Sequence, residues 1–164
     1  MADPHELPPT TEPGSDPLLA LDNQVCFALY ASSLAMTKLY RPLLAPLGLT
    51  YPQYLVMLVL WEHGQQSVNQ IGQTLQLDSG TLTPLLKRLA TSGLVERRRD
   101  PQDERRVLVD LTESGHQLRD RAREVPKALV CRMGLSAAEM RQLQSTLDTL
   151  RRQLGRAEPS DVSR

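Results

Sequence analysis

The stretch from Ser67 to Leu111 constrains this chain more than any other. It reads Ser67-Val68-Asn69-Gln70-Ile71-Gly72-Gln73-Thr74-Leu75, steps to Asp78, and continues Ser79-Gly80-Thr81-Leu82-Thr83-Pro84-Leu85-Leu86-Lys87-Arg88-Leu89. Ser67 and Gln70 form a capping-box pattern that opens one helix, with Val68, Ile71 and Leu75 turned inward. Asp78 is placed to cap the next. Leu82, Leu85, Leu86 and Leu89 recur at i, i+3, i+4 and i+7, the spacing of an inward stripe. Ser79, Thr81, Pro84, Lys87, Arg88 and Thr91 are left on the outward face. Pro84 lies past the first turn of a helix begun at Asp78, which implies a local kink or a later start. Gly93 stops the helix. Leu94 to Arg99 and Arg105 to Leu111 then read as strands, with Val107, Val109 and Leu111 alternating to one face, and Asp100 to Glu104 supplies the turn.

Two short helices followed by a basic ribbon suit a DNA duplex. The second helix can enter the major groove while the first braces the backbone. Ser79 and Thr81 can reach base edges or phosphates, and Lys87 and Arg88 suit phosphates or guanine edges. The ribbon carries Arg97, Arg98, Arg99, Arg105 and Arg106, and an arginine at such a tip can enter a narrow minor groove. Asp100, Asp103 and Glu104 offset part of that charge, and Asp103 is placed to hold Arg105. A polar helix face is by itself only solvated surface, and an arginine-rich hairpin only a salt-bridged one. Their order along the chain joins them.

Composition sets milder bounds. The chain has 164 residues, enough for one domain, with 40% apolar residues and a formal net charge of zero. All five charged side chains from Met1 to Asp22 are acidic, which leaves an excess of five positive charges on the remainder. Cys26 and Cys131 have no Cys/His ligand spacing, so no zinc site is expected. The start carries no secretory signal pattern, and the longest apolar run, Tyr54 to Trp61, is too short to span a bilayer. A cytoplasmic protein with reduced thiols and no membrane partner is the expectation.

Around this stretch the chain reads as helical. Residues 1–17, rich in proline and acids, are expected to form a disordered tail. A first helix begins at Leu18, and Pro42 ends or kinks it. Only Asp22, Lys38 and Arg41 are charged between Leu18 and Leu44, so burial on more than one side is expected. Thr50 and Gln53 open a second, core helix that closes at Gly64. Thr112 is placed to cap a long fifth helix, bent at Pro126 and ended by Gly134. Ser136 and Glu139 open a sixth, whose stripe of Met140, Leu143, Leu147, Leu150 and Leu154 fits either a partner chain or the core. Residues 156–164 form a polar tail.

Leu77 to Leu89, with Gly93-Leu94-Val95, Asp103 to Val109 and Leu111-Thr112-Glu113-Ser114-Gly115, resembles the MarR family of winged-helix regulators, over about Leu18 to Leu154. That resemblance implies a mainly α fold with a small β-wing: a winged helix-turn-helix of six helices in an interlocked homodimer. Residues 18–50 and 113–155 would dimerise and residues 51–111 would bind a pseudo-palindromic double-stranded DNA operator. It implies transcription regulation without a cofactor and without catalysis.

The chemistry outside the reading head centres on Cys26. All four tyrosines, Tyr30, Tyr40, Tyr51 and Tyr54, follow it in one short window. Tyr30 shares its helix face at i, i+4. Tyr40 stands fourteen residues on, about 21 Å along a straight helix, so one chain does not easily bring it to Cys26 through that helix alone, whereas a second chain crossing antiparallel could. Hydroxyl donors would favour a thiolate; a buried, inert cysteine is the plainer alternative. Cys26, Tyr40 and Leu49-Thr50-Tyr51-Pro52-Gln53-Tyr54 resemble the branch of organic hydroperoxide resistance regulators. There an N-terminal cysteine is oxidised by organic hydroperoxides, and tyrosines matching Tyr40 and Tyr51 reach it from the other subunit. Members with a second cysteine near the end of the fifth helix form a disulfide, and Cys131 has that place. Two rival expectations remain: a MarR-type repressor released by a small aromatic ligand, and a thiol peroxidase, which the lack of a thioredoxin-like pattern disfavours.

Overall fold

In the computed structural model, residues 16–157 are described; the expected tails lie outside them up to residue 15 and from residue 158. The chain divides into two compact units, one ending at Ala122 and the other beginning at Arg123.

Asp16 to Asn23 forms turns, and helix α1 runs from Val25 to Leu44, later than its expected start. Gln24 accounts for the difference. Its backbone is extended, and its carboxamide donates to the carbonyls of Leu18 (2.8 Å) and Ala20 (3.2 Å), so helix cannot pass through it. Pro42 sits in the last turn, where the Lys38 carbonyl loses a partner, yet the Ala45 N–H still bonds to the Arg41 carbonyl. The expectation that α1 is buried on several sides fails within one chain. Leu44 is its one buried residue, while Val25 is 65% and Tyr30 62% exposed.

Helix α2 (Tyr51–His63) opens with the Thr50 N–H donating to Gln53 Oε1 at 2.9 Å and buries Tyr54, Val56, Met57, Val59 and Leu60. Helix α3 (Val68–Leu75) opens with the reciprocal box: the Ser67 N–H donates to Gln70 Oε1, and the Gln70 N–H to Ser67 Oγ. Helix α4 (Ser79–Thr91) begins where Asp78 accepts from the Thr81 N–H at 2.8 Å and the Thr81 hydroxyl at 2.9 Å. That cap excludes the later start. Pro84 therefore lies inside the helix and leaves the Gly80 carbonyl without its usual donor. Leu82, Leu86 and Leu89 are buried with Ile71, Met57 and Leu60; Leu85, expected inward with them, is half-buried.

Strands β1 (Gln66–Ser67), β2 (Val95–Asp100) and β3 (Asp103–Leu111) form an antiparallel sheet in the order β1-β3-β2. The ribbon is longer than expected because Asp100 pairs with Asp103 across a bulge, leaving Pro101 and Gln102 as the turn. Strand β1, unexpected from the sequence, is two residues long, too short for an alternating pattern to register. It ties the start of α3 to β3 through Ser67 and Leu108.

One junction locks this unit. Gly93, at φ 72°, ends α4 and lets the Leu94 N–H reach the Leu89 carbonyl. Thr112 donates to the Gly93 carbonyl at 2.6 Å and accepts from the Gly115 N–H at 3.1 Å, capping α5 (Glu113–Ala122) as expected. A Cβ on Gly115 would collide with the Leu94 carbonyl, so only glycine allows α5 this close to the wing. From α2, Trp61 Nε1 donates to the Gly115 carbonyl at 2.9 Å.

In the second unit, helical bonding breaks at Arg123, so the expected fifth helix is two segments, α5 and α6 (Glu124–Met133), with Pro126 in the first turn of the latter. Gly134 ends α6 at φ 66°. Helix α7 (Ala137–Ala157), the expected sixth, opens with the Ser136 N–H and hydroxyl on Glu139 Oε2. Among the described residues, no single helix is long and apolar enough to cross a membrane.

Candidate nucleic-acid interface and redox site

Helix α4 turns its outward residues to solvent as its stripe requires. Ser79, Thr81, Pro84, Lys87 and Arg88 are all exposed. Thr81 is less free than the sequence implies, because its hydroxyl proton is held by Asp78; its lone pairs remain available to a donor. The Thr81 N–H and hydroxyl hold the Asp78 carboxyl below its ordinary range, so it stays ionised at the tip of α4.

The wing sorts its five arginines by strand alternation. Arg97 faces Val109 and Arg99 faces Val107 across the ladder, and Arg105 follows on the same side of β3, so these three share one face. Arg98 opposes Leu108, which places it with Arg106 on the other. All five are exposed. The expectation that Asp103 holds the Arg105 side chain is corrected. Asp103 Oδ1 accepts from the Arg105 backbone N–H at 3.1 Å and shapes the tip instead. The acid nearest a wing guanidinium is Asp100, largely buried and 3.7 Å from Arg106. Arg106 is thus partly engaged within the wing, leaving Arg97, Arg99 and Arg105 on one face and Arg98 on the other without an ion pair among the described residues.

Cys26 and Cys131 are free thiols, both exposed in the chain, on α1 and α6. Because α1 is continuous from Val25 to Leu44, Cys26 and Tyr40 stand about 21 Å apart along it. One chain does not bring them together. The helix does bring Tyr40 to α2: its ring lies 4.5 Å from that of Tyr51 and 5.9 Å from that of Tyr54, centroid to centroid. Tyr54 meets Trp61 edge-on at 6.3 Å. Tyr30 stays apart and exposed. Burial, and then the neighbouring Tyr51 and Tyr54, push Tyr40 up to about 12; burial also raises Tyr51 and Tyr54. All three are neutral hydroxyl donors at neutral pH. Tyr54 and Trp61 were not among the expected site residues, although their spacing from Tyr51 along α2, three and ten residues, carries the signal.

Known proteins fit this geometry. The family model of the transcriptional regulator SarA/Rot matches residues 38–122. The organic hydroperoxide resistance transcriptional regulator of Bacillus subtilis is 50% identical over 132 residues, 80% of this chain and 90% of that protein. Reduced AbfR bound to DNA, a protein also solved from Staphylococcus epidermidis, superposes with a TM-score of 0.72 at 38% identity, over 83% of this chain and 93% of that one. The disulfide form of AbfR, at 38% identity over 83% of this chain and 90% of that one, reaches 0.58. The chain therefore belongs to the MarR-type winged-helix transcriptional regulators, in the branch of the organic hydroperoxide resistance regulators.

Proposed function

We propose that this protein is a homodimeric repressor that binds a pseudo-palindromic DNA operator when reduced and leaves it when organic hydroperoxide oxidises Cys26. The observation that carries this reading is the arrangement on α1 and α2. Cys26 is solvent-accessible, and a pair of neutral tyrosine hydroxyls, Tyr40 and Tyr51, stands about 21 Å further along α1. A second α1 crossing antiparallel brings each Tyr40–Tyr51 pair to the other chain's Cys26. The exposed apolar faces of α1 and α7 suit such a partner, with Leu34 46% and Leu143 45% exposed. Ser79, Thr81, Pro84, Lys87 and Arg88 meet the major groove, and Arg97, Arg99 and Arg105 meet the backbone or minor groove.

Chemically, the Cys26 thiolate attacks the distal peroxide oxygen. The O–O bond breaks, the alkoxide leaves as alcohol after taking a proton, and Cys26 becomes a sulfenic acid. The Cys131 thiol, from the other chain, then condenses with it, releasing water and forming a disulfide that a dithiol or two thiols can reduce again. The sulfurs must approach to about 2 Å, which moves the helix bearing Cys131 and changes the spacing of the two reading heads. The similar protein AbfR, solved reduced and overoxidized on DNA and in a disulfide form, supports a redox-linked reading.

The test is a gel shift on a duplex that the reduced protein enriches from a random library, titrated with cumene hydroperoxide. Cys26→Ser keeps binding and no longer releases; release at wild-type dose would sink the sensor role. Cys131→Ser loses the inter-chain disulfide on a non-reducing gel while Cys26 still reaches sulfenic acid.

A further inference from the structure

Between α3 and the start of α4 lies an open recess of about 450 Å³, lined by Asn69, Gln73, Gln76, Asp78 and Ser79 above an apolar floor that includes Leu82. Ser79 places it beside the outward face of α4. Its lining holds no lysine or arginine and one carboxylate, Asp78, so it does not suit a phosphate. It suits amino groups.

Its three carboxamides are uncommitted. Most such groups elsewhere in the same unit are engaged, among them Gln53 with Thr50, Gln65 with Asp110, Gln66 with the His63 carbonyl and Gln70 with Ser67, Gln102 in the wing turn being an exception. Among the described residues, no side-chain hydrogen bond engages Asn69, Gln73 or Gln76, and all three are exposed. Gln76 also has, alone among described non-glycine residues, a positive φ, 54°. It caps α3 in the left-handed region, with its N–H directed at the Gln73 and Gly72 carbonyls. Glycine, and less often asparagine, fills that position without cost. A glutamine held there carries backbone strain of a kind that gathers at ligand-contacting positions.

Resting on the DNA-binding reading above, we infer that Gln76, with Gln73 one turn behind it, reads a base edge in the major groove, and that the base is adenine. A carboxamide offers one acceptor and one donor in a plane, which matches adenine N6 and N7. Asp78 beside it repels phosphate and keeps the recess for bases. Gln76 is thus a specificity-determining residue at the turn preceding the recognition helix.

The experiment uses the full-length reduced protein, a duplex it enriches from a random library, and every single base-pair substitution of that duplex. Wild type discriminates against loss of an A·T pair at one position per half-site by roughly ten-fold or more. Gln76→Gly loses that discrimination while keeping its affinity for the substituted duplex, its salt dependence and a melting midpoint no lower than wild type. Gln76→Glu moves the preference at that position to cytosine, whose N4 amino group a carboxylate accepts from. Full retention of the adenine preference by Gln76→Gly overturns the assignment, as does a uniform loss of affinity across all duplexes. A wild type that enriches no sequence removes the DNA-binding reading, and this inference with it.

Discussion

Tyr40 illustrates how a single side chain acquires its chemistry from its neighbours. Packed on Tyr51 and Tyr54, it keeps its proton up to about pH 12, whereas an unperturbed tyrosine loses it near 10.0. Below pH 10 folded and unfolded chains are both protonated there, and the group contributes no pH dependence. Between 10 and 12 the unfolded chain releases the proton and the folded chain retains it, so stability falls as pH rises. Urea unfolding followed across that interval gives a falling midpoint for the wild type and a shallower fall for Tyr40→Phe. Equal slopes would mean the cluster does not perturb this hydroxyl. The same retained proton makes Tyr40 a donor at physiological pH, the role the peroxide-sensing proposal assigns it.

At the scale of elements, the wing is less basic than its sequence and more directional. Strand alternation puts Arg97, Arg99 and Arg105 on one face, while Arg106 leans towards the largely buried Asp100. Arg105→Ala removes one cation from the face proposed to meet DNA. Affinity falls, and the slope of log K against log salt becomes shallower by about 0.9, one counterion's worth; an unchanged slope would take Arg105 out of the interface. The junction of α2, α4, α5 and β2 holds this wing to the reading helix. There Trp61, Leu94, Thr112 and Gly115 share three hydrogen bonds and one contact that tolerates no Cβ.

For the whole molecule, the unpaired surfaces are informative. Helix α7 exposes Leu143, Leu147 and Leu154 along the stripe that the sequence left open between core and partner. Within one chain that stripe is not core. In a two-fold dimer each substitution counts twice. Leu147→Asp removes about 1.5 kcal/mol or more of apolar burial per chain, which weakens dimerisation roughly 100-fold. Sedimentation at micromolar concentration then finds monomer where the wild type is dimer. A wild-type-like dimer from Leu147→Asp would place the interface elsewhere.

The local chemistry was legible from residue order alone. Caps at Thr50, Ser67, Asp78, Thr112 and Ser136 are set by neighbours within four positions, where backbone donors suffice, and the leucine stripe of α4 and the strands of the wing show in side-chain periodicity. The helix-helix-ribbon order of Ser67 to Leu111 fixed the class of fold on those terms. Tertiary structure decided what depends on distant partners. Gln24 delays α1 through carbonyls six and four positions back; Asp100, and not Asp103, meets a wing guanidinium; and Tyr40 finds Tyr51, Tyr54 and, through them, Trp61 only when α1 folds back on α2. The low charge of α1 suggested burial on several sides, whereas within one chain Leu44 is the one residue of that helix that is buried. Hydrophobicity records that a face leaves water, and only packing specifies against what.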